Sequence, residues 1–382
     1  MPVIYPYVQY SGMWTSQSQM QAVAAGTWTG FPGLWSWGLN TNGQLGLGDI
    51  TDRSSPNQVG ALTTWSKITC GLYHTLATKT DGTLWAWGWN SSGQLGLGDI
   101  TNRSSPVQVG ALTTWSKIAG GQSHTIATKT DGTLWSWGSG TSYGQLGLGN
   151  TTNYSSPKQV GALTTWLNVT AGRYYTVATK TDGTLWTWGW NLYGQLGLGD
   201  TTNRSSPVQV GALTTWLNIA VGQSHTIATK TDGTLWAWGY NLSYGALGLG
   251  NITNYSSPKQ VGALTTWSKI TCGGYHTIAT KTDGTLWSWG WNSSGQLGLG
   301  NTTDRLSPNQ VGALTTWSKI AGGYSHTLAV KTDGTFWSWG AGTNGALGLG
   351  DITNRSSPNQ VGALTTWLSI AAGGYFSLAI LS

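Results

Sequence analysis

The sequence predicts an all-β protein, a closed seven-bladed β-propeller whose blades are four-stranded sheets. Three observations predict it: a tryptophan motif recurs seven times, each repeat holds four short β-prone stretches, and the two chain ends carry complementary halves of one repeat. A unit of about 50 residues cannot bury both faces of its sheet alone, whereas units packed around an axis can. The motif Trp-x-Trp-Gly begins at Trp35, Trp85, Trp135, Trp186, Trp236, Trp287 and Trp337.

The centre of each repeat is predicted to be a β-hairpin. In one repeat, the β-prone stretches 124–130 and 133–137 flank Asp131-Gly132. Because Asp-Gly is typical of a two-residue type I′ turn, we expect that turn here. The acidic residues at this position are therefore interpreted as structural turn residues and not as catalytic groups: Asp81, Asp131, Asp182, Asp232, Asp283 and Asp333.

Two further strands follow the hairpin in each repeat. The loop Gly144–Gly149 has the sequence Gly-Gln-Leu-Gly-Leu-Gly, and 156–160 and 166–169 are the next β-prone stretches. Residues two apart on a strand point to the same side of a sheet, so Trp135 and Trp137 should project together into one interblade layer. Most of the 26 tryptophans are thus assigned to the core.

The chain ends predict how the ring closes. Leu34–Gly38 corresponds to the second strand of the hairpin but lacks the preceding arm, and Gly374–Leu381 is such an arm without its partner. Pairing the two would complete one blade and remove two open strand edges. We therefore expect the N- and C-terminal strands to share a sheet.

Composition excludes several classes of protein. Charged residues make up 8% of the chain, but the many aromatics are untypical of disorder. The net charge is +6, yet the lysines are spaced singly and no basic residue precedes Arg53, so a nucleic-acid partner is not expected. No apolar run reaches the roughly 18 residues of a membrane span. Neither a disulfide framework nor a cofactor is indicated.

The repeat resembles that of the RCC1 family. The resemblance rests on Gly121–Ala127, on the Asp-Gly-Thr-Leu-Trp-Ser-Trp-Gly that follows, and on Gly144–Gly149, and it covers about residues 30–382. It implies a seven-bladed propeller. Propellers of this type include an exchange factor, a photoreceptor and an enzyme inhibitor, so the resemblance does not choose one activity. The near-identical repeats lack the inserted wedge of the exchange factor, and the photoreceptor's tryptophan cluster has no counterpart.

Five histidines occupy one position on successive strands. They are interpreted as structural residues that tie a strand to a loop, and no metal is expected, because Tyr175 and Phe376 replace them in two repeats. No nucleophile with a base, and no phosphate-binding loop, stands out from the repeat, so an enzyme is not predicted. The histidines are His74, His124, His225, His276 and His326.

Candidate ligand-binding residues lie where the repeats differ. The segment after Trp-x-Trp-Gly varies, and it carries aromatic rings beside Asn and Ser in several repeats. Such rings suit contact with a protein or stacking on a surface glycan. The alternative is that they only cover the blade edge. The candidates are Trp89, Tyr143, Trp190, Tyr193, Tyr240, Tyr244 and Trp291.

Residues 1–26 lie outside the repeats, which leaves 27–382 for the propeller. The segment has room for a short helix, and it resembles a tag of bacteriophage structural proteins. This predicts a virion-associated, non-enzymatic propeller that presents loops to a host surface and contacts other virion proteins through 1–26. The alternatives are a soluble bacterial scaffold or inhibitor, located in the cytoplasm, and a guanine-nucleotide exchange factor.

Overall fold

The structure, a computed structural model, describes residues 32–382. This part of the chain forms 28 β-strands and one short 3-10 turn at Thr343–Gly345. The first half contains β1 (Gly33–Gly38), β2 (Arg53–Gln58), β3 (Trp65–Cys70), β4 (His74–Lys79), β5 (Leu84–Gly88), β6 (Arg103–Gln108), β7 (Trp115–Gly120), β8 (His124–Lys129), β9 (Leu134–Gly138), β10 (Tyr154–Gln159), β11 (Trp166–Ala171), β12 (Tyr175–Lys180), β13 (Leu185–Gly189) and β14 (Arg204–Gln209). The second half contains β15 (Trp216–Val221), β16 (His225–Lys230), β17 (Leu235–Gly239), β18 (Tyr255–Gln260), β19 (Trp267–Cys272), β20 (His276–Lys281), β21 (Leu286–Gly290), β22 (Arg305–Gln310), β23 (Trp317–Gly322), β24 (His326–Lys331), β25 (Phe336–Gly340), β26 (Arg355–Gln360), β27 (Trp367–Ala372) and β28 (Phe376–Leu381).

The strands form seven antiparallel sheets of four. Blades 1 to 6 each take four consecutive strands, from β3–β6 to β23–β26, and blade 7 contains β27, β28, β1 and β2. The first strand of each blade contacts the first strand of the next, so these seven strands surround the axis. The prediction of a seven-bladed propeller with four-stranded blades is confirmed. The expected boundary between residues 26 and 27 lies outside the described residues.

Blade 7 closes the ring with strands from both ends of the chain. Strand β1 pairs with β28 over six consecutive residue pairs, from Gly33 with Leu381 to Gly38 with Phe376. Strand β2 covers the other edge of β1. The predicted pairing of the N- and C-terminal strands is therefore confirmed, and the complementary half-repeats complete one blade.

The core lies in layers between neighbouring blades. Trp135 and Trp137 of blade 2 both pack in the layer that holds Leu76 and Leu84 of blade 1. Leu134, the residue between them in the strand, packs on the opposite side against blade 3. The alternation of β9 thus sends each side chain to the layer predicted for it.

Each long loop fastens its blade to the next one. The backbone carbonyl of Gln94, in the loop of blade 1, accepts hydrogen bonds from Thr125 Oγ1 at 2.8 Å and Trp137 Nε1 at 2.9 Å, both in blade 2. Since the acceptor is a backbone atom, Ala246 serves equally at the same place in blade 4. Gly96 lies so close to Trp137 that a Cβ there would sit 2.7 Å from Nε1.

The hairpin turn differs from the prediction. The loop of blade 1 has three residues, Thr80, Asp81 and Gly82, and the amide of Gly82 donates to the carbonyl of Lys79 at 3.0 Å. Only Gly82 has a positive φ, +79°, whereas a type I′ turn needs one at both central residues. The type I′ prediction is wrong, because Thr80 lengthens the loop and leaves the left-handed position to glycine alone. Three-residue hairpin loops that end in a left-handed glycine are typically built on a type I turn.

Candidate functional site: the aromatic face

Two kinds of loop share one end of every blade. One joins the first strand to the second, as at 71–73, and the other joins the third strand to the fourth, as at 89–102. Neighbouring strands are antiparallel, so both loops emerge on the same side of the ring. We call this side the aromatic face and the opposite side, which carries the hairpin turns, the hairpin face.

Ten aromatic rings form one continuous chain of contacts across the aromatic face. Neighbouring ring centroids are 4.8–6.3 Å apart, mostly in edge-to-face or tilted arrangements. All ten side chains are partly exposed. This chain, the aromatic arc, runs through the loops of blades 2 to 7 and consists of Tyr143, Tyr174, Trp190, Tyr193, Tyr240, Tyr244, Tyr275, Trp291, Tyr324 and Tyr375.

Two equivalent clusters anchor the arc. Tyr143 lies 5.3 Å from Tyr174 and 5.7 Å from Trp190, and the same three-ring cluster recurs around Tyr244, two blades further on. Both loops that supply the central tyrosine contain one extra residue, and both place a serine in the left-handed region, Ser142 at φ 74° and Ser243 at φ 83°. Such angles are uncommon for residues other than glycine and often mark functional loops.

Six of the seven predicted ligand-binding residues belong to the arc. The seventh, Trp89, has one aromatic neighbour among residues 32–382, Tyr73 at 5.9 Å, and it lies apart from the arc in blade 1. The sequence interpretation missed four members of the arc. Three of them had a signal, since the residue before the histidine position alternates between tyrosine and serine along the chain: Tyr73, Ser123, Tyr174, Ser224, Tyr275, Ser325 and Tyr375. Tyr324 lies one residue earlier in its loop and follows no such pattern.

A funnel opens at the centre of the aromatic face, where the first loops of all seven blades meet around the axis. Its volume is about 230 Å³. Arg173 is the one charged side chain among the described residues that line it. Its Nε donates to Oε1 of Gln122 at 2.7 Å, and its guanidinium lies 5.0 Å from the ring centroid of Tyr174. The funnel therefore carries an oriented positive charge.

The tyrosines nearest the funnel keep their hydroxyl protons at neutral pH. Burial raises the pKa of Tyr275 to about 12, with a further contribution from Tyr324, and Arg173 offsets part of that rise. Burial also raises the pKa of Tyr324 and of Tyr375. Protonated phenols can donate hydrogen bonds, so Tyr324, which lines the funnel, can offer a donor to a bound group.

The histidines join blade to blade, where the sequence interpretation had them tie a strand to a loop. Nε2 of His74 lies 3.1 Å from Oγ1 of Thr125 in the next blade. Because the Thr125 hydroxyl donates its proton to the carbonyl of Gln94, His74 Nε2 must be the donor in this contact. His124, His225, His276 and His326 make the equivalent contact with the following blade. Burial lowers the pKa of His74 to about 3.

The hairpin face repeats one small cluster in six blades. In blade 1, Nζ of Lys79 lies 3.5 Å from a ring centroid of Trp85, whose Nε1 donates to Thr83 Oγ1 at 2.9 Å. The Thr83 hydroxyl and amide in turn donate to Asp81 Oδ1. The turn aspartates, including Asp131, Asp182, Asp232, Asp283 and Asp333, therefore bind their own hairpins.

Within residues 32–382, no group of three or more His, Cys, Asp or Glu side chains is arranged to hold a metal ion. None of the described segments forms a helix long and apolar enough to cross a lipid bilayer.

Comparison with known families identifies the repeat. The sequence model of the Regulator of chromosome condensation (RCC1) repeat matches seven consecutive segments, at residues 33–78, 81–128, 131–179, 182–229, 232–280, 283–330 and 333–380. The chain belongs to the RCC1 repeat family. The resemblance seen in the Gly-Gln-Leu-Gly-Leu-Gly loops is thereby confirmed. The matches cover the propeller and do not include the N-terminal segment, whose likeness to phage proteins stays a prediction.

A plant protein is similar to this chain in sequence, and two solved structures are similar to it in fold. The Ultraviolet-B receptor UVR8 of Arabidopsis thaliana is 38% identical over 269 residues, which are 68% of this chain and 61% of the receptor. The chain thus spans less than two thirds of that relative's length. Human WBSCR16 superimposes with a TM-score of 0.82 at 22% identity, covering 91% of this chain and 98% of WBSCR16. Prp20p of Saccharomyces cerevisiae gives 0.82 at 21% identity and 93% coverage of both chains; its structure was described together with its binding to Gsp1p and histones.

Proposed function

We propose that this protein is a non-enzymatic binding propeller that holds a protein partner on the aromatic face. The observation that carries the proposal is the aromatic arc, ten partly exposed tyrosine and tryptophan rings that run through six of the seven blades. Tyrosine, tryptophan and arginine are the residues most enriched at the energetic centres of protein interfaces. The arc and Arg173 bring all three together around one funnel.

The arrangement of the rings favours a protein over a glycan. A sugar stacks best on a flat ring face that is free on one side, whereas most arc rings meet a neighbour edge-on or tilted, as Tyr193 and Tyr240 do at 64°. Their exposed parts form a broad, uneven surface of ring edges and hydroxyl groups, which suits protein contact. Support also comes from Prp20p, a propeller of the same fold described as binding Gsp1p and histones.

The experiment compares equivalent tryptophans inside and outside the arc. Trp190 of blade 3 and Trp89 of blade 1 stand at the same position of their repeats, but only Trp190 contacts the arc. The wild type, Trp190→Ala and Trp89→Ala would be used as baits under identical conditions. Partners recovered by the wild type would be identified by mass spectrometry, and their affinity for each purified variant would be measured.

We expect Trp190→Ala to weaken binding of the recovered partner at least about ten-fold, because truncating an interface anchor commonly costs 2 kcal/mol or more. Trp89→Ala should bind within about two-fold of the wild type. Equal affinity of all three proteins would refute the proposal. A glycan array provides the contrasting result: saturable glycan binding that depends on Trp190, without a protein partner, would show that the arc is a lectin site.

Association with a phage particle stays a prediction. It rests on residues 1–26, which lie outside the described residues, and the RCC1 relatives give it no support. Mass spectrometry of purified particles tests it directly, since absence of the protein from them would exclude the virion hypothesis. The binding role proposed for the aromatic face does not depend on that result.

A further inference from the structure

We propose that the funnel of the aromatic face binds a carboxylate, the acidic side chain of the protein partner, with Arg173 as the group that clamps it. The inference rests on the proposed function and adds the chemistry of the contact at its centre. A guanidinium presents parallel N–H donors that match the two oxygens of a carboxylate. Four observations support this role for Arg173.

Arg173 breaks the repeat at a position where charge is otherwise missing. Among the residues that line the funnel, the equivalent residue is Gln122 in blade 2 and Gln223 in blade 4, and no aspartate is present. Four of the other arginines are neutralised by the aspartate four residues before them, at 2.5–2.6 Å: Arg53, Arg103, Arg204 and Arg355. Within residues 32–382, no carboxylate pairs with Arg173, so its charge is available to a ligand.

The guanidinium of Arg173 is already held in one orientation. Gln122 accepts the Nε proton at 2.7 Å, and the ring of Tyr174 lies 5.0 Å away. Both contacts leave the two terminal nitrogens without an acceptor in the described part of the chain. An oriented fork with free terminal N–H groups loses little side-chain entropy when it binds a carboxylate.

One interblade backbone hydrogen bond around the funnel is missing at Arg173, among the described residues. The first loops are joined by amide-to-carbonyl bonds of 3.0–3.3 Å from blade to blade, as from Gln122 to Arg173 and from Gln223 to Gly274. Six of the seven steps around the ring have such a bond. In the step from Arg173 to blade 4, the Arg173 amide has no acceptor within residues 32–382. The funnel therefore holds an unused backbone donor beside the unused guanidinium nitrogens.

The size and charge of the funnel favour one carboxylate over a larger or more highly charged group. Its volume of about 230 Å³ is below the roughly 300–1,000 Å³ of typical small-molecule pockets and suits a single side chain. One guanidinium matches the single charge of a carboxylate, while a phosphate dianion would need a second cation that the lining residues lack. The protonated hydroxyl of Tyr324, at the rim, adds a neutral donor.

The test measures peptide binding by isothermal titration calorimetry at low ionic strength. The probe is a penta-glutamate peptide capped at both ends, and capped penta-glutamine is its neutral control. The variants are Arg173→Gln, which copies the residue found in blades 2 and 4, and Arg173→Lys, which keeps the charge without the fork. Arg305→Gln removes one charge from the outer strand of blade 5, where no ion pair of Arg305 is present within residues 32–382, and serves as the matched control.

We expect penta-glutamate to bind the wild type, Arg173→Gln to weaken it at least about ten-fold, and Arg173→Lys to fall between them. Arg305→Gln should stay within about two-fold, and penta-glutamine should not bind. Equal losses in Arg173→Gln and Arg305→Gln would overturn the inference, because they would show an effect of net charge alone. Failure of the wild type to bind penta-glutamate would overturn it as well.

Two further probes separate the sources of the carboxylate. Penta-glutamine with a free C-terminus carries only a terminal carboxylate, and glucuronic acid carries a sugar carboxylate. Binding of either one that depends on Arg173 and is tighter than that of penta-glutamate would overturn the assignment to an acidic side chain. If Trp190→Ala abolishes partner binding while Arg173→Gln leaves it unchanged, this inference fails and the proposed function stands. If Trp190→Ala leaves partner binding intact, the proposed function fails independently of the peptide result.

Discussion

The hairpin face and the aromatic face differ in how closely their side chains agree from blade to blade. On the hairpin face, Nζ of the lysine lies 3.5–3.6 Å from a tryptophan ring in all six complete hairpins, with the same threonine and aspartate beside it. On the aromatic face, the side chains change from blade to blade. Near-identity therefore marks the residues that hold a blade together. The varying residues are those to which we assign the proposed binding role.

The variation of the aromatic face has its own order. Blades 1, 3 and 5 carry a tyrosine directly before the histidine position and a tryptophan directly after Trp-x-Trp-Gly. Blades 2, 4 and 6 have a buried serine at the first of these positions and Ser139, Tyr240 or Ala341 at the second. These positions therefore repeat every two blades, whereas the strands repeat in every blade. In the arc, loops of the even blades supply Tyr143, Tyr240 and Tyr244, which bridge the aromatic pairs of blades 3 and 5.

Acidification tests the buried histidines that join the blades, and it has the largest expected effect on stability. Burial lowers the pKa of five histidines to about 3 or 4, as for His225 at about 3, against about 6.5 in an unfolded chain. Below pH 6.5 the histidines bind protons in the unfolded state, whereas in the folded state they stay neutral until the pH approaches their lowered pKa. The contribution of the neutral histidines to stability is thus complete above pH 6.5 and is lost progressively down to about pH 3. At pH 5 each histidine costs about 2 kcal/mol, roughly 10 kcal/mol in total.

Urea denaturation at pH 7.5, 6 and 5, followed by circular dichroism, measures this loss. The turn aspartates do not add to the change in this window, because hydrogen bonds from threonine, as from Thr83 to Asp81, lower their pKa in the folded state, and an aspartate in an unfolded chain titrates near 3.9. His225→Tyr copies the natural replacement at Tyr175 and should remove about one fifth of the pH dependence. A free energy of unfolding that stays constant from pH 7.5 to 5 would contradict the burial argument.

Truncation of a core tryptophan compares how much the interblade core and the aromatic arc contribute to stability. Trp238 is fully buried, and its Nε1 donates to the carbonyl of Gln195 at 3.0 Å. Trp238→Ala should lower the free energy of unfolding by about 3–5 kcal/mol, because it leaves a cavity between two blades. Trp190→Ala in the arc should cost less than half as much. Similar losses in the two variants, measured by urea denaturation, would show that the arc belongs to the core.

Removal of one hydroxyl from the hairpin cluster has a smaller effect. Thr133 accepts from Trp135 Nε1 at 2.9 Å and donates to Asp131 at 2.6 Å. Thr133→Val should lower the free energy of unfolding by about 1–2 kcal/mol, since two hydrogen bonds are lost near the surface. Thr130→Val, at an exposed neighbouring position, is the control and should change it by less than about 0.5 kcal/mol. Equal effects would contradict a specific role of the cluster.

The smallest expected effect is a gain in stability when glycine replaces a serine of positive φ in a loop of the arc. Ser142 has a φ of 74°, which glycine adopts without strain. Ser142→Gly should therefore raise the free energy of unfolding by up to about 1 kcal/mol. Ser92→Gly, in the shorter loop of blade 1, should lower it slightly, because its φ is not positive and glycine loses more entropy on folding. Thermal denaturation distinguishes the two, and destabilisation by Ser142→Gly would argue against strain in this loop.

The propeller could be predicted from the sequence because its evidence is repeated. Seven copies of one motif fixed the number of blades, and the half-repeats at Leu34–Gly38 and Gly374–Leu381 predicted the shared sheet. The hairpin turn was mispredicted, since the dipeptide Asp81-Gly82 does not reveal whether Thr80 belongs to the strand or to the loop. One residue of loop length changes the turn type and its φ angles.

The candidate site was predicted in part. Aromatics after the Trp-x-Trp-Gly motif, such as Trp190 and Tyr244, stood out because that segment varies. Their partners Tyr174 and Tyr275 come from a different loop of the repeat, and only the packing of the blades brings the two loops together. Arg173 escaped notice for the same reason, since its place at the axis depends on the ring and not on neighbouring residues.

The shared sheet of blade 7 also determines when the ring can close during biosynthesis. The partner of Gly33 is Leu381, which the ribosome adds about 350 residues later. At roughly 5–20 residues per second, strand β1 waits about 20–70 s for β28 to emerge. During that interval blade 7 is incomplete, and the unpaired edge of β1 can pair with a strand of another chain. Blade 7 can therefore be completed only after β28, the last strand of the propeller, has been synthesised.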